Sequence, residues 1–138
     1  MDERSLAFLK KLLDAPGPSG YEQVPARLWR DEAKSFAAVE GDALGNSIAT
    51  LNKGGSPRIM LAGHVDEIGL MVVHIDEDGF IHFAPIGGWD SQVLVGQRVL
   101  IDAKGGPVLG VVGKKAIHLM KHDDRDKVSK TTDLWIDI

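Results

Sequence analysis

The sequence predicts an α/β fold in which two N-terminal helices lead into a mostly antiparallel β region. Three observations predict it: apolar residues recur at helical spacing near the N-terminus, the chain from Ala37 onward breaks into short β-rich runs separated by glycine, and two glycine-bearing turns join neighbouring runs as hairpins.

In "SLAFLKKLLDA" Leu6, Leu9 and Leu13, with Phe8 and Leu12 beside them, make one amphipathic face, and Pro16-Gly17-Pro18 ends the run. A second helix is expected through Leu28, Trp29 and Phe36, with Ser19 and Glu22 in front of it at capping-box spacing. Pro25 requires that this helix either start or kink there. Beyond the first turn a proline removes an amide donor, and its ring meets the carbonyl four residues back. Strands are expected near residues 38–43, 47–52, 58–63, 68–75, 79–84, 98–103, 107–113 and 133–138. "DEDG", residues 76–79, and "KGGP", residues 104–107, read as hairpin loops. The charged stretch "KHDDRDKVSKTT" has no periodicity and reads as a solvated loop.

Composition removes several kinds of function. With 43% apolar and 26% charged residues among 138, the chain has the balance of a soluble globular protein, and no run approaches the ~20 apolar residues of a membrane span. The N-terminus is acidic where a secretory signal is basic, so secretion is not expected. There is no cysteine, which excludes disulfides, thiolate metal sites and cysteine nucleophiles and suits a reducing cytoplasm. Any metal must therefore be held by histidine and carboxylates. A net charge of -4, with basic residues scattered, offers no stripe for a phosphate backbone, so no nucleic-acid partner is expected.

The stretch "IMLAGHVDEIGL", residues 59–70, carries the chemistry. Its apolar run suits a buried strand, and in open α/β sheets ligands collect beyond the carboxyl ends of strands, where His64 would stand. Asp66, two residues on, could accept the proton of one imidazole nitrogen, fix the tautomer and make the other nitrogen a better metal donor. The alternative is a hydrogen-bonded core histidine followed by a turn aspartate. A His-x-Asp pair alone is a weak motif, because catalytic zinc takes three protein ligands and this stretch supplies one. No His-Glu-x-x-His helix, Gly-x-Ser-x-Gly elbow or Walker-type loop is present. His74, His82, His118 and His122 read as surface or hydrogen-bonded histidines, and Trp89 as a packing residue.

Six blocks in order, "LLDAPGPSGYE", "GDALGNSIAT", "IMLAGHVDEIGLMV", "GFIHFAPIGGWDSQVLVGQRV", "GVVGKKAIHLM" and "DLWIDI", resemble the N-terminal portion of the glutamyl and tetrahedral aminopeptidase family. These are cytosolic two-metal peptidases, some of whose members carry the label endoglucanase. By that resemblance His64 is a metal ligand and Asp66 the catalytic-site acid that orients it. The complete enzyme would hold two divalent ions, zinc or cobalt. The family's general base is a glutamate of a downstream Glu-Glu pair and not Glu67, and "DDR", Asp123–Arg125, falls in a variable loop and is assigned no metal. Four of the five metal-binding positions have no counterpart before Ile138, so the chain is expected to be incomplete and inactive alone. Pro25 departs from the unbroken helix of relatives.

The resemblance further implies that residues 1–67 are the N-terminal segment of an α/β metallopeptidase catalytic domain. Residues 68–138 would be an inserted, antiparallel β-barrel-like dimerisation domain. The expected function is removal of N-terminal residues from short peptides by a metal-activated water, in a cytoplasmic homo-oligomer of dimers built into a larger particle, with a downstream polypeptide completing the site. A non-catalytic assembly module is the alternative. Glycoside hydrolysis ranks lower, because adjacent acids such as Asp66 and Glu67 point to opposite faces of a strand.

Overall fold

A computed structural model describes all residues, Met1–Ile138. The chain divides into two compact units, Met1–Glu67 and Ile68–Ile138.

In the first unit, helix α1 spans Glu3–Leu13 and helix α2 spans Gln23–Ala33. Asp2 caps α1 by accepting from the Ser5 amide at 2.7 Å, Glu3 stands in its first turn, and Lys10 and Lys11 stand in its last, each sign complementing the helix dipole. Helix α2 begins two residues before Pro25 and runs through it. Pro25 thus lies in the first turn, where its missing N–H would have had no intrahelical partner, and neither a start at Pro25 nor a kink is needed. The expected capping box does not form: the Glu22 side chain takes the Gly20 amide at 2.6 Å and α2 has no side-chain cap. Pro25, Ala26 and Ala33 are the buried residues of α2. An exposed Arg4–Glu32 pair at 2.7 Å bridges α1 to α2, a geometry that contributes little in water.

Strands β1 (Ala38–Gly41) and β2 (Ser47–Thr50) form an antiparallel hairpin, with Gly41 opposite Ser47. Its loop is closed by Asp42, whose carboxylate accepts from the Leu44 and Asn46 amides and from Asn46 Nδ2 at 2.7 Å. Arg30 reaches from α2 to the Ser47 hydroxyl at 2.8 Å.

The strand expected at 58–63 does not form. These residues enter neither sheet, and Ile59, Met60 and Leu61 are 81%, 87% and 94% exposed. A run of apolar residues signals that burial is favourable without naming the neighbour, and a strand exists only where a second backbone completes the hydrogen-bond ladder.

The second unit is a five-stranded antiparallel sheet in the order β3-β4-β7-β6-β5, from β3 (Gly69–Ile75), β4 (Ile81–Ile86), β5 (Arg98–Ile101), β6 (Val108–Lys114) and β7 (Leu134–Asp137). It curls around Ile81, Phe83, Leu94, Val112, Leu134 and Ile136, with Trp89, Val95 and Ile101 packed against them. The period-2 alternation of a half-buried strand is plain in β4 and β7, where Ile81 and Phe83, and Leu134 and Ile136, face inward. Removing each such side chain from water is worth roughly 1.5–3 kcal/mol. The "DEDG" loop joins β3 to β4 and the "KGGP" loop joins β5 to β6, with Gly79 and Gly106 at φ of 91° and 110°. A one-turn helix α3, Ser91–Leu94, and three short 3₁₀ turns lie between the strands, one of them, His122–Asp124, inside the charged stretch expected to be a loop.

Candidate metal centre

The first unit brings residues 17–19 and 64–67 together. Pro18 and Glu67 form a parallel bridge, in which the Glu67 amide donates to the Gly17 carbonyl at 2.9 Å and the Ser19 amide to the Glu67 carbonyl at 3.3 Å. The Glu67 side chain closes the clasp by accepting the Gly17 amide at 3.0 Å. Gly17 is buried, and a Cβ there would lie 2.6 Å from the ring carbon Cγ of Pro25. Only glycine lets the chain pass this close to the first turn of α2. Pro25, a local oddity in the sequence, is thus packing beneath the clasp.

His64 and Asp66 project from this clasp. His64 Nδ1 lies 2.7 Å from Asp66 Oδ1 and 3.1 Å from the Asp66 carbonyl oxygen. Both partners are acceptors only, so Nδ1 carries the proton and the lone pair of a neutral ring resides on Nε2. The His64 side chain is 85% exposed, so Nε2 is open to a cation. The second oxygen of Asp66 accepts the Ser19 hydroxyl at 2.6 Å. That hydrogen bond first, and the His64 imidazole second, hold the Asp66 carboxyl below its ordinary 3.8.

His64 and Asp66 are therefore brought together, as the motif predicts, but not at the end of a buried strand. Position is supplied by the clasp to residues 17–19, because residues 58–63 have no ladder of their own. Sequence reasoning missed Ser19, which it assigned to a helix cap, and Gly17, which it read only as a helix terminator. The "PGPSG" turn was the available signal for both.

The remaining candidates take other roles. His82 Nε2 meets Asp76 Oδ2 at 3.1 Å and stacks on His74 with ring centroids 6.0 Å apart, so this pair braces the β3–β4 hairpin. His82 first, and the Phe80 and Asp78 amides after it, lower the Asp76 carboxyl. Trp89 donates to the Gly69 carbonyl at 2.9 Å and packs on the core of the second unit. Asp123 is exposed and Asp124 pairs with Lys127 at 2.8 Å. No group of three or more His, Asp or Glu side chains converges to hold a metal. The donor set that does exist fits one ligand of a dinuclear site: an exposed imidazole whose Nδ1 is engaged by a carboxylate, leaving Nε2 without a protein partner.

Comparison with known proteins gives this arrangement its context. The family of M42 glutamyl aminopeptidases matches residues 45–138. A lysyl aminopeptidase of Pyrococcus furiosus is 44% identical over 116 residues, which are 83% of this chain and 33% of that protein. Among solved structures, the TET aminopeptidase from the marine sediment archaeon Thaumarchaeota archaeon SCGC AB-539-E09 superposes with a TM-score of 0.94 at 36% identity, covering 99% of this chain and 39% of that one. The Pyrococcus horikoshii TET1 peptidase, described as able to assemble into a tetrahedron or a large octahedral shell, superposes at 0.83 with 38% identity, covering 96% of this chain and 40% of that one. The chain thus spans about a third of the length of the curated relatives it matches. The family match covers residues 64–67 of the clasp and the whole five-stranded sheet, and the superposition extends over 99% of the chain: the chain belongs to the M42 glutamyl aminopeptidase family.

Proposed function

We propose that this chain is the N-terminal part of a metal-dependent aminopeptidase that removes N-terminal residues from short peptides. The observation that carries the reading is the 2.7 Å contact of His64 Nδ1 with the Asp66 carboxylate on a side chain that is 85% exposed, which assigns the proton to Nδ1 and leaves Nε2 to a ligand. His64 would give Nε2 to a divalent cation, zinc or cobalt. Asp66 would keep the ring turned and raise its basicity by accepting the Nδ1 proton. Two such ions, when bound, supply a water activated as nucleophile and a Lewis acid on the scissile carbonyl. Further ligands and the general base would come from a downstream part of the complete protein, which would also cover the exposed run Ile59–Leu61. Residues 1–67 would belong to the catalytic domain.

Residues 68–138 would form the dimerisation domain of a homo-oligomer. Leu100 and Leu109, paired across β5 and β6, are 56% and 70% exposed, an apolar surface suited to a second copy. A chain without cysteine fits work in the cytoplasm. Glycoside hydrolysis is not favoured: Asp66 and Glu67 are engaged with different partners, Asp66 with His64 and Ser19 and Glu67 with Gly17.

The test measures zinc and cobalt binding, and hydrolysis of aminoacyl-p-nitroanilides, by the 138-residue protein alone and after mixing with a polypeptide that supplies the downstream part. Hydrolysis is expected only in the mixture. Turnover by the short chain alone would overturn the assignment of the missing ligands.

A further inference from the structure

We propose that Ser19 is a positioning residue for the metal centre, its hydroxyl fixing the plane of the Asp66 carboxylate and, through it, the direction in which His64 presents Nε2. The proposal rests on the reading of His64 as a ligand and adds a residue from a different element of the chain, 47 positions away from Asp66.

The physical case begins with the softness of an aspartate. Its terminal torsion is broad and nearly two-fold, so a carboxylate held at one oxygen can swing about that contact. Asp66 is held at both: Oδ1 by His64 Nδ1 at 2.7 Å and Oδ2 by Ser19 Oγ at 2.6 Å. Two bonds at opposite oxygens define a plane, and the imidazole proton must lie along it. A charge-assisted O–H···O⁻ bond of this length is also among the stronger ones a hydroxyl can make.

Ser19 can hold Asp66 only because its own backbone is held. It occupies the second position of a β-turn closed by the Tyr21 amide donating to the Pro18 carbonyl at 2.8 Å. Gly20, at the third position, has φ of 92°, the mark of a type II turn. The Ser19 amide is engaged with the Glu67 carbonyl at 3.3 Å and the Gly17 amide with the Glu67 side chain at 3.0 Å. The serine and the aspartate thus ride on the two sides of one clasp. Adjacent acids divide the work, with Glu67 fastening the backbone and Asp66 receiving the hydroxyl.

The experiment uses the 138-residue protein uniformly labelled with ¹⁵N and records two-bond ¹H–¹⁵N correlations of the imidazoles at neutral pH, which report how far the His64 proton resides on Nδ1. Wild type is expected mainly as the Nδ1–H tautomer, and Asp66→Ala to weaken that preference, the backbone carbonyl of residue 66 remaining as the one acceptor at 3.1 Å. Ser19→Ala should shift the population at least several-fold toward Nε2–H, and Ser19→Thr, which keeps the hydroxyl, should restore it. The Glu67 amide, followed in the same samples, checks that the clasp survives. Cobalt(II) alone is then titrated in, and broadening of the His64 signals is compared with that of His74, His82, His118 and His122. Ser19→Ala should need more cobalt for equal broadening, near the ~10-fold lower end of what losing an outer partner costs a metal site. Tautomer and cobalt response unchanged in Ser19→Ala, while Asp66→Ala moves both, would overturn the role of Ser19 alone. Failure of cobalt to broaden His64 beyond the other four histidines in wild type mixed with the downstream part would overturn the ligand reading, and with it the purpose assigned to Ser19.

Discussion

Gly17 and Glu67 lie fifty positions apart, yet they hold each other at both ends: the Gly17 amide donates to the Glu67 carboxylate at 3.0 Å, and the Glu67 amide returns to the Gly17 carbonyl at 2.9 Å. This reciprocal contact sets where Asp66, one residue back, and His64, three back, can stand. It depends on a bare Cα packed against Pro25.

Gly17→Ala should therefore destabilise the first unit. The new methyl would sit 2.6 Å from a ring carbon that cannot swing away, so the clasp or the start of α2 must shift. Overpacking of this kind costs about 1–3 kcal/mol. Urea unfolding followed by the helical circular dichroism, carried chiefly by α1 and α2, would measure it, and an unchanged midpoint would show that the clasp yields freely.

His64→Ala, tested with the downstream part present, should abolish bound metal and peptidase activity while leaving assembly intact. Metal content by atomic emission and mass by light scattering separate the two effects. Full metal occupancy in the variant would remove His64 from the ligand set.

Asp66→Asn should weaken metal affinity by ~10–100-fold, since a neutral amide accepts the Nδ1 proton less strongly and leaves Nε2 less basic. Competition against a chelating dye gives the number. Equal affinity would make Asp66 a turn residue and nothing more.

The Asp76 carboxyl is held below its ordinary 3.8 by His82 and two backbone amides. A depressed folded value means the contribution to stability is complete above about pH 3.8 and is lost as pH falls through the lower folded value. Asp76→Asn has no proton to gain there. Its urea midpoint should fall less than that of wild type between about pH 5 and pH 2. Parallel curves would deny Asp76 any share in acid unfolding.

Leu109→Glu should lower the assembled mass without unfolding the protomer. Leu109 is 70% exposed and opposite Leu100, so the substitution leaves the core of the second unit untouched, and such surface changes cost within about ±0.5 kcal/mol. Retention of the wild-type mass on light scattering would place the subunit contact elsewhere.

Local chemistry made much of this protein legible in its residues. The helix over Leu6, Leu9 and Leu13, the alternation of Ile81 and Phe83 in β4, and the glycines of the two hairpin loops each report on neighbours a few positions away and each formed, although Leu6 and Leu13 stay exposed. The six ordered blocks identified the family, and the short spacing of His64 to Asp66 was enough to predict their contact. Tertiary structure alone decided the rest. It left the apolar run at 58–63 without a ladder and took Ser19 from a helix cap to the second oxygen of Asp66. The reason is one of range: periodicity and turn propensity are set by adjacent residues, whereas the acceptor of a hydroxyl proton, or the partner of a strand, is chosen by whatever backbone the fold brings alongside.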